Sequence, residues 1–222
     1  MVTLRLSRTA PGLVEVLGPG RRFVLWVQGC PLACPGCMSR DTWDADGGGE
    51  VTLEELTALW RDFLDLGATG ITVSGGEPME QAAALADFLD AARDVAAAVG
   101  CEADVLVYTG YEEDELAGLG PAALRLADSA DALITGRFRV AEPTRLAWRG
   151  SANQRLLPRT PLGRQRYAGH ADRVVENTEM QVFADDQALL LVGIPDRGVL
   201  TQAERRMRGD GLTFGGGVSW RP

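Results

Sequence analysis

The 222-residue sequence contains no lysine, so all 22 of its basic residues are arginine. It has one histidine, His170, which leaves no histidine doublet of the kind that zinc fingers use. No segment approaches the ~18 consecutive apolar residues of a membrane span, and the N-terminus lacks an apolar signal region. A cytoplasmic protein without a membrane anchor is the expectation. Positive charge is also short: the formal net charge is −9, which argues against a general binder of nucleic acid or membrane surfaces. Cysteine is scarce, with four in the chain, and three of those are clustered, so a second cluster held by this chain's cysteines is excluded. Internal repeats are absent. What remains is ordinary for a globular domain, with 45% apolar and 24% charged residues and enough length for a real core.

The clustered cysteines lie in Gln28–Gly29–Cys30–Pro–Leu–Ala–Cys34–Pro–Gly–Cys37, spaced C-x3-C-x2-C just after the apolar run Phe23–Val27. In a reducing compartment such a group is read as metal ligands before disulfides. Three thiolates on one short loop suit a single soft metal centre, and a [4Fe–4S] cube with three protein ligands keeps one iron free for a small molecule. A Cys3His zinc site with His170 is the competing reading, although its ligands lack the usual paired spacing.

Alternation at residues 2–6 and 13–16, separated by Pro11–Gly12, predicts an opening hairpin. Phe23–Val27 reads as a strand buried on both faces, with the cysteine loop at its C-terminal end. A Gly-rich linker spans 44–50. Thr52 and Glu55 then form a capping box for a helix with Leu53, Leu56, Trp60, Phe63 and Leu64 on one face. A strand at Ile71–Val73, a helix through Leu85–Val99, a strand at Val105–Tyr108, helical segments at Glu112–Ala117 and Ala122–Ala127, and a strand at Ala132–Thr135 follow. Strands alternating with helices imply βαβ units on a parallel sheet. That pattern fits a partial barrel and a doubly wound sheet equally. Residues 137–173 carry nine arginines against Glu142 and Asp172, a segment that suits an anionic substrate or a partner's acidic surface. Glu179–Ala184 and Gln187–Val192 read as a hairpin around Asp185–Asp186. Residues 209–220 give no assignment.

The run Gly18–Pro19–Gly20–Arg–Arg22–Phe23, the Gln28–Gly29–Cys30 entry to the cysteine loop, Arg40–Asp41–Thr42–Trp43–Asp44 and Ser74–Gly75–Gly76–Glu77–Pro78 together resemble radical S-adenosylmethionine (SAM) enzymes. Within that superfamily the chain is most similar to the glycyl-radical-enzyme activases, those for pyruvate formate-lyase and anaerobic ribonucleotide reductase. The resemblance, carried by roughly residues 18–155, implies an α/β fold, a partial (β/α) barrel of the radical SAM type over residues 1–155. The last third is not accounted for by it, and residues 156–222 are read as a C-terminal β-rich extension placed to cap the active site or select the substrate. It implies a [4Fe–4S] cluster on Cys30, Cys34 and Cys37 and SAM as cofactor. The SAM amino group then falls to the Ser74, Gly75, Gly76, Glu77 stretch, the ribose to Thr109, and the carboxylate to Arg137. Trp148–Arg155 resembles an "RGSSNQR"-like segment of the ribonucleotide-reductase activases, which adds Ser151 and Asn153 as ribose and carboxylate contacts. Many superfamily members have an aromatic residue before the third cysteine; this chain has Gly36 there, as the ribonucleotide-reductase activases do with their Pro-Gly-Cys.

The implied reaction is reductive cleavage of SAM to a 5′-deoxyadenosyl radical that abstracts hydrogen. Its electron comes from a flavodoxin- or ferredoxin-like donor, and its target is a glycine of a partner glycyl-radical enzyme. Radical modification of a small molecule or peptide is the alternative within enzymes, and a zinc-binding or electron-carrier module the alternative outside them. No catalytic side chain is assigned. Cys101 is expected to pack as a small hydrophobe and His170 to sit in a surface loop.

Overall fold

The structure, a computed structural model, describes residues 2–184 and 189–213. Strand β1 (Thr3–Thr9) is followed by β2 (Arg22–Val27), β3 (Gly49–Thr52), helix α1 (Leu53–Asp65), β4 (Gly70–Gly75), α2 (Ala82–Ala98), β5 (Asp104–Tyr108), α3 (Pro121–Ser129) and β6 (Ala132–Thr135). Then come β7 (Arg155–Pro158), α4 (Pro161–Tyr167), β8 (Met180–Ala184), β9 (Leu189–Gly193) and α5 (Val199–Gly209). A seven-stranded sheet has the order β3-β1-β2-β4-β5-β6-β7, and β8-β9 form a separate pair. Strands β2, β4, β5 and β6 run parallel, joined in succession through α1, α2 and α3. No helix among the described residues is long and apolar enough to cross a membrane.

Alternation along the strands decides between the two readings the periodicity left open. Phe23, Leu25 and Val27 of β2, Val105 and Val107 of β5, and Leu133 of β6 enter one large core with Leu56 and Trp60 of α1, Phe88 of α2 and Leu126 of α3. Their neighbours point the other way: Val24 and Trp26 pack against Val192 of β9, and Leu106, Ala132 and Ile134 against Leu156 and Tyr167. All three crossover helices therefore cover one face, and the strand order never reverses between β2 and β6. That is the winding of an open, partial (β/α) barrel, whereas a doubly wound sheet carries helices on both faces.

Several local expectations hold and others are corrected. Thr52 accepts from the Glu55 N–H at 3.2 Å while the Glu55 carboxylate accepts from the Thr52 N–H at 2.8 Å, the reciprocal capping box of α1. The opening hairpin does not form as expected. β1 pairs antiparallel with β2 and β3, and residues 13–16 contribute only an isolated bridge from Val14 to Arg22. Part of the Gly-rich linker becomes β3, and Glu112–Ala117 is a turn leading into a 3-10 segment at Leu116–Leu119. The C-terminal hairpin is present as β8 and β9, antiparallel, while its Asp185–Asp186 turn and Gln187 lie outside the described residues, as does the chain from 214. The boundary expected between 155 and 156 falls within β7, which is hydrogen-bonded along its length to β6.

The end of the barrel opposite the cysteine loop is closed by a buried ionic network. Asp104 accepts from Arg22 Nη2 at 3.0 Å, from Arg166 Nη1 at 2.5 Å and from the Tyr167 hydroxyl. Arg22 also donates to Thr72 Oγ1 and the Ile71 carbonyl, at 2.5 and 2.6 Å. A buried pair needs such full satisfaction to offset its desolvation.

Candidate metal centre

The parallel strands β2, β4, β5 and β6 all end toward the same rim, where open α/β sheets build their sites. The loop after β2 carries Cys30, Cys34 and Cys37, all unbridged and partly exposed. Its root is held from two sides. Gly29 and Cys30 donate to the Thr42 and Trp43 carbonyls at 2.8 and 3.1 Å, and the Gln28 side chain donates to the Asp44 carbonyl at 2.7 Å. From the other side, Gly76 N–H donates to the Val27 carbonyl and Glu77 N–H to the Gly29 carbonyl, both at 2.8 Å. Gly76 permits this approach, since a Cβ there would lie 2.2 Å from the Gly29 oxygen. Gly36 has φ +79° and rests beside Val140 and Phe138, a left-handed position beside a packed neighbour that an aromatic residue would not fit without strain.

Burial pushes the Cys30 and Cys37 thiols above their usual range. The backbone N–H groups of Leu32 and Ala33 oppose this at Cys30, and Ser39 N–H and the Trp43 side chain oppose it at Cys37. Without a cation these thiols hold their protons, and a bound metal displaces them. Donors aimed at the sulfurs are what an iron–sulfur cluster uses to tune its thiolate ligands. The donor set therefore fits such a cluster: three unbridged thiols with N–H groups beside them. Among the described residues no three His, Cys, Asp or Glu side chains are grouped so as to hold a single metal ion. His170 does not complete a zinc site. Its ring lies 4.5 Å from that of Trp148 and its Nδ1 faces Arg173 at 3.2 Å. Burial, with Arg173 adding, lowers its pKa. Cys101 lies with its sulfur 3.8 Å from the Ala68 carbonyl, packed at the edge of the large core.

The C-terminal end of β4 presents Ser74 and Gly75 to a cavity of about 1920 Å³, lined also by Trp26, Cys37, Tyr108 and Trp148. Glu77 points elsewhere. It is 1% exposed, and its carboxylate accepts from Met79 N–H (3.0 Å), the Thr109 hydroxyl (2.8 Å) and Gly110 N–H (2.7 Å). Burial outweighs these donors and raises its pKa to about 7. Thr109, expected to face a ribose, is buried as well and accepts from the Tyr111 N–H at 3.2 Å. The pair sews the β4 turn to the β5 turn.

Arg137 follows β6 and makes two bonds to the Glu115 carboxylate, at 2.8 and 3.1 Å, with its guanidinium over the Tyr111 ring. Ser151 and Asn153 serve the loop after β6. Ser151 Oγ accepts from Arg139 N–H at 3.1 Å and donates to Asn153 Oδ1 at 2.8 Å, and Asn153 Nδ2 donates to the Arg137 carbonyl at 2.9 Å. Gln154 donates to the Gly136 carbonyl at 3.0 Å. The sequence brings all these residues to one rim, but the polar ones beyond Ser74 are spent on neighbouring backbone and side chains. Gln28 and Gln81 are residues whose positioning work the sequence reading missed. The one available signal was a glutamine at a helix-capping position, where Ser, Thr, Asp or Asn is preferred.

A family model described as "4Fe-4S single cluster domain" matches residues 16–157. The chain is 32% identical to the anaerobic ribonucleoside-triphosphate reductase-activating protein of Enterobacteria phage T4, over 65% of this chain and 88% of that protein. It is 43% identical to the pyruvate formate-lyase 1-activating enzyme of Escherichia coli K12, over 34% of this chain and 32% of that enzyme. Among solved structures, QueE from Escherichia coli aligns over 64% of this chain and 74% of its own, at 16% identity and TM-score 0.39.

Proposed function

The chain belongs to the 4Fe-4S single cluster domain family, as a radical SAM enzyme of the glycyl-radical activase-like kind, and we propose that it uses SAM to activate a partner glycyl-radical enzyme. Cys30, Cys34 and Cys37 are the ligands in this reading, leaving one iron for SAM. When bound, the cluster and SAM together supply a 5′-deoxyadenosyl radical, the hydrogen-abstracting agent. The observation that carries the reading is the stitching of the three-cysteine loop to the Gly76–Glu77 backbone at the strand ends, which sets Cys37 of that loop and the Ser74–Gly75 backbone on one cavity.

The chain's own residues position and shield. Ser74 and the backbone of Gly75 and Gly76 offer close approach to the SAM amino group, with glycines removing steric cost. Glu77 and Thr109 hold that turn from behind. Arg137, paired with Glu115, is near enough to Cys34 to interact with it electrostatically, and Ser151 and Asn153 set the loop that carries it. Trp26 and Tyr108 give the cavity an apolar wall, which limits water near a reactive intermediate. A flavodoxin- or ferredoxin-like protein is the proposed electron source.

The glycyl-radical partner is supported by the relatives' names. One observation favours radical modification of a small molecule or peptide instead. The family model ends at residue 157, and beyond it β8 and β9 pack on the inner face at Val24 and Trp26. Incubation with SAM, dithionite and a candidate partner separates the two. A glycyl-radical EPR doublet on the partner supports activation. Formation of 5′-deoxyadenosine with no radical on any glycyl-radical enzyme favours the small-molecule reading.

A further inference from the structure

The root of the cysteine loop is held by three consecutive carbonyls, those of Val27, Gln28 and Gly29. Each accepts a hydrogen bond from the segment 76–81: Val27 from Gly76 N–H at 2.8 Å, Gln28 from Gln81 Nε2 at 3.0 Å, and Gly29 from Glu77 N–H at 2.8 Å. The two outer donors are main-chain groups that any residue supplies. The middle one is a side chain, and it is also fixed at its far side. Gln81 Oε1 accepts from Arg5 N–H at 2.8 Å, and Nε2 donates to the Arg5 carbonyl at 2.8 Å. The Gln81 amide thus bonds to β1 as a neighbouring strand would, while Gln28 N–H donates back to the same Arg5 carbonyl at 2.9 Å.

Gln81 holds this arrangement at a local cost. It occupies the N-cap of α2, where its side chain makes no capping bond to that helix. A residue that breaks a local preference while satisfying three distant groups marks a site where tertiary or functional demands override local ones. The demand here is two residues from Cys30.

We propose that Gln81 is a positioning residue for the cluster-binding loop, acting through the Gln28 carbonyl and not through any ligand contact. The inference rests on the assignment of Cys30, Cys34 and Cys37 as cluster ligands. Gln81→Leu removes all three bonds at similar volume. Gln81→Glu keeps the acceptor for Arg5 N–H and loses the donor to Gln28.

Amide hydrogen exchange on the cluster-free chain is the first readout, because it is independent of SAM and of turnover. In both variants the amides of Gly29 and Cys30 are expected to exchange about tenfold faster, equivalent to ~1.4 kcal/mol, while those of Val105 and Val107 in β5 keep their protection. The second readout is the EPR line shape of the dithionite-reduced reconstituted protein without SAM, expected to broaden or shift in both variants with iron content retained. Wild-type exchange at Gly29 and Cys30 in Gln81→Glu would overturn the proposal, as would faster exchange spread equally into β5. Altered exchange with an unchanged cluster spectrum would also overturn it, since the loop would then move without the ligands. If none of the variants or the wild type holds a cluster, the ligand assignment fails, and the exchange data still decide whether Gln81 fixes the loop.

Discussion

All four cysteines are unbridged and partly exposed, but Cys30, Cys34 and Cys37 share one loop while Cys101 packs apart from them at the edge of the core. Serine at any of the three loop positions is therefore expected to lower iron and sulfide in the reconstituted protein severalfold, and Cys101→Ser to leave them unchanged; metal analysis of the four variants checks this. The loop ligands were legible because their spacing is a property of sequence alone. Glu77 was legible as part of a motif but not in its orientation. Nothing in Ser–Gly–Gly–Glu–Pro says that the carboxylate turns inward to Thr109 and Gly110, residues more than thirty positions away. Burial raises its pKa from 4.5 to about 7, so the folded chain holds a proton there that the unfolded chain has lost. Stability drawn from this group is full below about pH 4.5 and declines as pH rises to about 7, by on the order of 1–3 kcal/mol. Glu77→Gln is expected to flatten that part of the profile, read from urea midpoints across pH. An identical slope in the variant would contradict the assignment.

Among elements, α1 illustrates what local chemistry settles. Its capping box is written in Thr52 and Glu55, and its buried face in Leu56, Trp60 and Phe63. Thr52→Ala is expected to cost ~1 kcal/mol, measurable as a lowered denaturant midpoint at unchanged slope. The parallel strands were equally plain, because β2, β4, β5 and β6 are buried apolar runs between turn residues. The elements that escaped notice have weak local signatures. β7 is an edge strand of four residues that begins with Arg155 and ends at Pro158. Helix α4 has only seven residues, with Gly163 inside it, where a Cβ would meet the Asp131 carbonyl at 1.8 Å. That glycine reads as a helix breaker in sequence and as a close contact in the fold. α5 is dominated by polar residues, with Glu204 its buried member.

Over the whole molecule, the arginine-rich segment changes meaning. Read along the chain it is a basic stretch. In the fold five of its nine arginines pair with acids: Arg137 with Glu115, Arg139 with Glu142, Arg145 with Asp196, Arg159 with Glu113 and Asp128, and Arg166 with Asp104. The positive charge expected to receive an anionic partner is reduced accordingly, which no linear reading could foresee. Asp104 is the most consequential of these acids, because it joins β2 through Arg22, β5 by its own backbone, and α4 through Arg166 and Tyr167. Asp104→Asn leaves the buried Arg22 guanidinium and the partly exposed Arg166 short of charge and is expected to destabilise the fold by about 3–5 kcal/mol, seen as a fall in thermal midpoint with the cysteine loop's own sequence untouched.

The central claim is that Cys30, Cys34 and Cys37 hold a cluster with one iron open to SAM. It is tested most directly by anaerobic reconstitution with iron and sulfide, reduction by dithionite, and EPR with and without SAM. The account predicts a reduced [4Fe–4S] signal that changes on adding SAM, with 5′-deoxyadenosine formed. A colourless protein that retains zinc, or a cluster whose spectrum is indifferent to SAM, would contradict it.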